Sequence, residues 1–229
     1  MAFASDDQKC VIKFLRSSHV RPQKFSRFYA DRLSFNNLAT QEHRARIKKE
    51  KWTQKLIDTC NRYTMAFKEL KSETGLIFVH FNKTSHLNVC LKLIDKKGRP
   101  HEIDLDQAYF ILQKRADLLP ARIEQALQKR DIESAKKAIF ALYTLFVERA
   151  KKGFTDQRQC LSVNFGLVGN EAIQIDVGKI SKNEELIKMP LKEIQKISAN
   201  LKNWTARHYP ELFQETAYQL EELDKSLFF

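Results

Sequence analysis

The sequence predicts an α+β chain: a small antiparallel sheet with a long helix over residues 1–105, followed by a mainly helical lobe over 106–229. Three observations carry this. Short apolar, β-rich runs at 10–15, 76–81 and 87–94 fall in the first half. Thr40 to Thr74 runs without Gly or Pro, as a long helix must. Helix-start residues Asp131, Pro190 and Pro210 punctuate the second half.

Composition supports a folded chain and narrows its partners. The 229 residues are 43% hydrophobic, enough for one large domain or two small lobes. Forty Lys and Arg against 28 Asp and Glu leave a net charge of +12, which favours an anionic partner: a nucleotide, a nucleic acid or an acidic surface. Cys10, Cys60, Cys90 and Cys160 form no C-x-x-C pair and have no matching His spacing, so neither a disulfide framework nor a zinc site is expected. A reduced, cytoplasmic setting follows as the expectation. No apolar run approaches the length of a membrane span, and Met1–Cys10 has no signal-peptide pattern.

The elements follow in order. Cys10–Leu15 reads as a strand interrupted by Lys13. Phe25, Phe28, Tyr29 and Leu33 recur at helical spacing. The helix over Thr40–Thr74 places Leu56, Tyr63, Phe67 and Leu70 at roughly helical intervals, with Gly75 as its stop. Its first part, Arg44 to Lys51, is strongly basic and reads as a solvated face, or alternatively as a contact for nucleic acid. Residues 76–81, 87–94 and 101–105 read as three strands of a small antiparallel sheet, with a turn at Asp95–Gly98. His80, His86 and His101 lack helical ligand spacing and read as structural or surface residues. Leu105–Leu119 reads as a helix capped near Asp106 and stopped before Pro120. A short amphipathic helix at 121–129 and a core helix at 132–152, capped by Asp131 and ended by Gly153, complete the approach to a polar loop. After Lys179 the chain is polar to Met189, and two helices, one from Pro190 through His208 and one from Pro210, close it.

Between the core helix and the last two helices lies the stretch 153–178. Val163–Val168 and Ala172–Ile175 read as strands joined at Gly169-Asn170, residue types that suit a tight turn with positive φ. Asn164 opens the first strand and Asp176 follows the second, so the two side chains converge at one end of the hairpin and make a candidate cation site. Val177 and Gly178 come next.

This order of parts resembles the large lobe of the protein kinase-like phosphotransferases, whose catalytic-loop Asn and Asp-Phe-Gly Asp hold magnesium against ATP phosphates. Asn164 and Asp176-Val177-Gly178 match, twelve positions apart. The resemblance implies ATP and Mg²⁺ as cofactors, with Asn164 and Asp176 as metal ligands. It implies Lys13, in Val11-Ile12-Lys13, as the strand Lys on the nucleotide phosphates, and Glu50 or Glu69 as its helix partner. The sheet-to-helix junction near 105–119 would be the hinge that grips adenine. The family sets its catalytic Asp five positions before the Asn, where this chain has Gln159. Asp156, eight before, is the sole carboxylate of the loop, so the catalytic role falls to it. Only nine residues precede Cys10 and none is Gly, which leaves no glycine-rich phosphate loop in this sequence. No Ala-Pro-Glu motif follows Gly178. The resemblance is therefore to a divergent member, a pseudokinase by expectation, that binds ATP and Mg²⁺ with weak or no phosphoryl transfer. The reading from another class is a non-catalytic interaction protein that meets a protein, nucleic acid or other anionic partner through its basic surface.

Overall fold

A computed structural model describes residues 2–15, 38–95, 97–156 and 160–226 and gives an α+β architecture with small antiparallel pairings and seven α-helices among those residues. Strands β1 (Ala2–Ala4) and β2 (Cys10–Phe14) precede a long helix, α1 (Leu38–Glu69), and a single further turn, α2 (Lys71–Thr74). Then come β3 (Leu76–His80), β4 (Cys90–Ile94), β5 (Pro100–Asp104), β6 (Phe110–Lys114), β7 (Asp117–Leu118), α3 (Leu119–Gln128) and α4 (Ile132–Lys151). The strands β8 (Phe154–Asp156), β9 (Phe165–Val168), β10 (Glu171–Gln174) and β11 (Ile180–Lys182) lead to α5 (Glu184–Lys188), α6 (Pro190–His208) and α7 (Pro210–Ser226). The helix expected from Phe25 to Leu33 lies outside the described residues.

Four strands form one sheet in the order β1-β2-β6-β3, three form another as β10-β9-β7, and β4–β5 and β8–β11 are separate pairs. The chain divides into two compact units. One comprises 1–3, 12–61 and 80–111; the other comprises 4–11, 62–79 and 112–229.

The long helix ends as its sequence requires. Tyr63, Ala66 and Leu70 are buried at helical spacing, and the chain breaks pitch at Leu70 (φ −128°) before the one turn of α2. Gly75 closes that turn at φ +62°, and a Cβ there would meet Ile173 Cδ1 at 3.0 Å, so both conformation and packing call for glycine.

Two expectations from the sequence are corrected. The helix over Leu105–Leu119 is absent: after a 3₁₀ turn at Leu105–Gln107, the apolar run becomes strand β6. Phe110, Ile111 and Gln113 are all buried, because an inner strand is covered on both faces and loses the alternation that identifies a half-exposed strand. Pro120 starts α3 instead of stopping a helix, sitting in the first turn where its missing N–H costs nothing. The three-stranded meander is also absent. β4 and β5 pair with each other, Cys90 opposite Asp104 through Ile94 opposite Pro100, while β3 belongs to the four-stranded sheet.

Asp106, expected as a helix cap, instead organises the loop before β4. One carboxylate oxygen accepts from the Thr84 hydroxyl and from the His86 and Leu87 backbone N–H groups (3.1 and 3.2 Å), and the other accepts from Asn88 N–H at 2.8 Å. His80 is buried beside it, its ring nitrogens bonded to Ala108 O and Thr84 Oγ1. The Thr84 bond, then the three backbone bonds, hold the Asp106 carboxyl down to about 2 against the opposing effect of burial. A depressed carboxylate stabilises the fold fully above its unfolded value of about 4 and loses that contribution as the pH falls towards 2. Asp106→Asn is therefore expected to melt below the wild type at pH 7, with the gap between the two melting temperatures closing between pH 5 and 2. A gap that stays constant across that range would remove Asp106 as its source.

The second unit holds the main core. α4 carries Ala135, Ile139, Leu142, Phe146 and Ala150, each 4% exposed or less, and packs against α3, α6 and α7. Its N-cap is Asp131, whose side chain accepts from Ser134 N–H. Phe165 of β9 meets Phe146 edge to face at 5.1 Å, which seats the hairpin on the helix. At Gly166 a Cβ would stand 2.5 Å from Asp117 O, so the register of β7 on β9 depends on glycine there.

Candidate functional site

The expected hairpin forms. Gln174 pairs with Phe165 and Glu171 with Val168, and Gly169 turns at φ +62°. One further backbone bond, Ile175 N–H to Asn164 O at 2.7 Å, extends the ladder to the end where Asn164 and Asp176 leave it on facing chains. Asp176 is exposed. Its Oδ1 accepts from Gly178 N–H at 2.8 Å and from the Tyr63 hydroxyl at 3.5 Å, which fixes the carboxylate in place. Burial, and then the Asp176 charge, push the Tyr63 phenol above its ordinary range, so it stays a neutral donor.

The stretch before the hairpin begins with regular structure. Its first residues form β8, which pairs with β11: Phe154 opposite Lys182, Thr155 opposite Ser181, Asp156 opposite Ile180. Both strands lie where the sequence reads as polar and irregular, and three residues are too few to display a period. Their pairing sets Asp156 across from the chain that has just left Asp176-Val177-Gly178. The longer spacing to Asn164 therefore does not carry Asp156 away from this end of the hairpin.

One amide holds the parts together. Gln174 Nε2 donates to Asp156 Oδ2 at 2.6 Å and to the backbone oxygen of Asp176 at 2.9 Å, while Gln174 Oε1 accepts from Arg149 Nη1 at 2.8 Å. Gln174 and Arg149 are both fully buried, and Asp156 is 4% exposed. The strand end is fixed in turn by Gln113, whose side-chain amide donates to Gln174 O at 3.2 Å and to Thr74 O at 2.6 Å. Burial lowers the Arg149 guanidinium to about 10, with Asp156 and then Glu193 opposing the shift, so it remains a cation at neutral pH. Among the described residues its Nε and Nη2 have no hydrogen-bond partner. Sequence reasoning missed both Arg149 and Gln174. The signal for Arg149 was a cation in phase with Leu142, Leu145 and Phe146 on the buried face of a helix, which demands a buried acceptor.

Of the four residues singled out from the sequence, Asp156, Asn164 and Asp176 share this end of the second unit. Lys13 lies half-buried on β2 in the other unit. Of its two candidate partners, Glu69 forms an ion pair with Lys182, and the side chain of Glu50 lies outside the described residues. Asp156 also borders a cleft of about 460 Å³ facing α6.

Among the described residues no three His, Cys, Asp or Glu side chains gather as a metal cluster. A magnesium ion that keeps waters and takes substrate phosphates needs only one or two protein ligands, so the Asn164 and Asp176 donor set suits that ion and not zinc. The four cysteines are free, and no described helix is long and apolar enough to cross a membrane. Compared with known proteins, the chain matches no family model, no curated protein and no solved structure.

Proposed function

We propose that the chain is a divergent kinase-like protein that binds ATP with Mg²⁺ at the open end of the β9–β10 hairpin and transfers phosphoryl groups slowly. The observation that carries this reading is the Gln174 bridge, which ties Asp156 to the backbone of Asp176 beside Asn164. In this reading Asn164 and Asp176 would hold the ion. Asp156, oriented through Gln174, takes the proton of the attacking hydroxyl. The ion, when bound, would supply neutralisation of the phosphate charge.

Slow transfer rests on the loop sequence: five positions before Asn164, where the family sets its catalytic Asp, this chain has no carboxylate, and Asp156 stands eight before.

Melting curves with ATP, with and without Mg²⁺, test the binding. Ligand that prefers the native state must raise the melting temperature, and the rise is expected to depend on Mg²⁺. In Asp176→Asn the Mg²⁺-dependent part of the rise is expected to vanish while the unliganded melting temperature stays close to wild type, since the position is exposed and an amide oxygen can still accept from Gly178 N–H and the Tyr63 hydroxyl. An undiminished Mg²⁺-dependent rise in the variant would remove the metal from Asp176.

A further inference from the structure

The basic first part of α1 plays no role in the nucleotide reading. Residues 38–55 carry six cations, Arg44, Arg46, Lys48, Lys49, Lys51 and Lys55, against two carboxylates, Glu42 and Glu50. Leu38–Glu69 is one unbroken α-helix, so spacing assigns each of these positions a side. Arg44, Lys48, Lys51 and Lys55 follow at intervals of four, three and four, which stacks them in one stripe along the helix. Glu42 and Glu50 fall on the far side, as do Arg46 and Lys49. Lys51 and Lys55 are exposed. The stripe ends one turn beyond Lys55 at Asp58, a carboxylate that accepts from Gln54 Nε2 at 2.9 Å.

The stripe has the charge and the length of a phosphodiester contact. Arg44 to Lys55 spans about 16 Å of helix, with successive cations about 4.5–6 Å apart. Over that length one strand of a duplex passes about four or five phosphates, so each cation can meet its own anion. A small anion would engage one or two of the four, and only a polyanion uses the row. An anionic bilayer also presents phosphates, but an interfacial helix must sink an apolar face into it. Within 38–55 the apolar line of α1 offers only Leu38, Ala45 and Trp52, and Leu56, next on that line, is already half-buried. The net charge of +12 draws polyanions from a distance.

We infer that the first half of α1 is a nucleic-acid surface, which meets the phosphodiester backbone of RNA or DNA through Arg44, Lys48, Lys51 and Lys55. It responds to charge and spacing rather than to base sequence, because phosphate contacts carry no sequence information directly. Binding releases counterions condensed on the strand, so the affinity falls steeply with salt. The surface is independent of ATP and Mg²⁺, since none of its four residues belongs to the nucleotide site.

Fluorescence anisotropy of a labelled oligonucleotide, as single-stranded RNA and as duplex DNA, is followed with the full chain from about 50 to 200 mM salt. The slope of log affinity against log salt is expected to be about −3 to −4, the value for four phosphate contacts. In Lys48→Gln/Lys51→Gln the slope is expected to become shallower by about 1.5–2, and the affinity at about 0.1 M salt to fall about ten- to hundredfold. Arg46→Gln/Lys49→Gln removes the same net charge off the stripe and is expected to keep the wild-type slope. Glutamine is as good a helix former as lysine or arginine, and melting curves of both variants check that the fold holds. Absence of binding, a slope near zero, or equal losses in the two double variants would each overturn the assignment. Tighter binding to phosphatidylserine-containing vesicles than to either oligonucleotide, lost in Lys48→Gln/Lys51→Gln, would overturn it in favour of a membrane.

Discussion

Arg149→Met is expected to destabilise the second unit by about 1–3 kcal/mol, the usual cost of leaving a buried polar group without its hydrogen-bond partner. Methionine keeps the apolar stem but not the guanidinium that covers the Phe146 ring at 5.1 Å, so the loss combines charge, hydrogen bonding and that ring contact. Without the cation, Asp156, 4% exposed, loses a favourable charge interaction, and Gln174 Oε1 loses its donor inside the core. Arg149 is itself a costly resident, with two nitrogens that find no acceptor among the described residues. Replacing both charges should therefore recover much of the loss, and Arg149→Met/Asp156→Leu is expected to be more stable than Arg149→Met alone. Denaturant midpoints of the wild type, both single variants and the double variant supply the coupling energy. A cost below about 1 kcal/mol for Arg149→Met, in the range of an exposed pair, would mean that water reaches the site.

Asp156→Asn is expected to lower phosphoryl transfer about 10²–10⁴-fold, the span associated with losing a general base. Asparagine keeps an oxygen for Gln174 Nε2 to reach, so the bridge survives while the proton acceptor does not. Affinity for ATP with Mg²⁺ is expected to hold, because Asp156 is not placed on the ion. ADP release measured on both proteins, each with its melting curve, separates chemistry from folding. Equal rates in the two would reduce Asp156 to the structural counter-charge of Arg149.

What was legible in the sequence was local. Asp131, Gly153, Gly169-Asn170, Pro190 and Pro210 each act within a few residues, and the helices and turn they announce are present at those positions. The converging ends of the hairpin followed from antiparallel pairing alone. β6 was misread because successive residues on both its faces are buried, which removes the period of two, and because its flanking strands β2 and β3 are remote in sequence. The β8–β11 pair and the Gln174 bridge were invisible for the same reason. Their partners lie 18 to 28 positions apart, and nothing in a three-residue strand names its mate.

The β8–β11 pair has a consequence for how this region opens. By joining Phe154–Asp156 to Ile180–Lys182 it closes a ring of chain over 157–179, with the hairpin inside the ring and the Gln174 amide as a spoke to its rim. Closing a ring costs chain entropy once, and every contact within it then forms at a high effective concentration. A ring of this kind loosens as one cooperative segment. Its amides should exchange with deuterium at a common rate, distinct from that of α4 beneath, and a ligand bound at any one point of the ring should slow exchange around all of it.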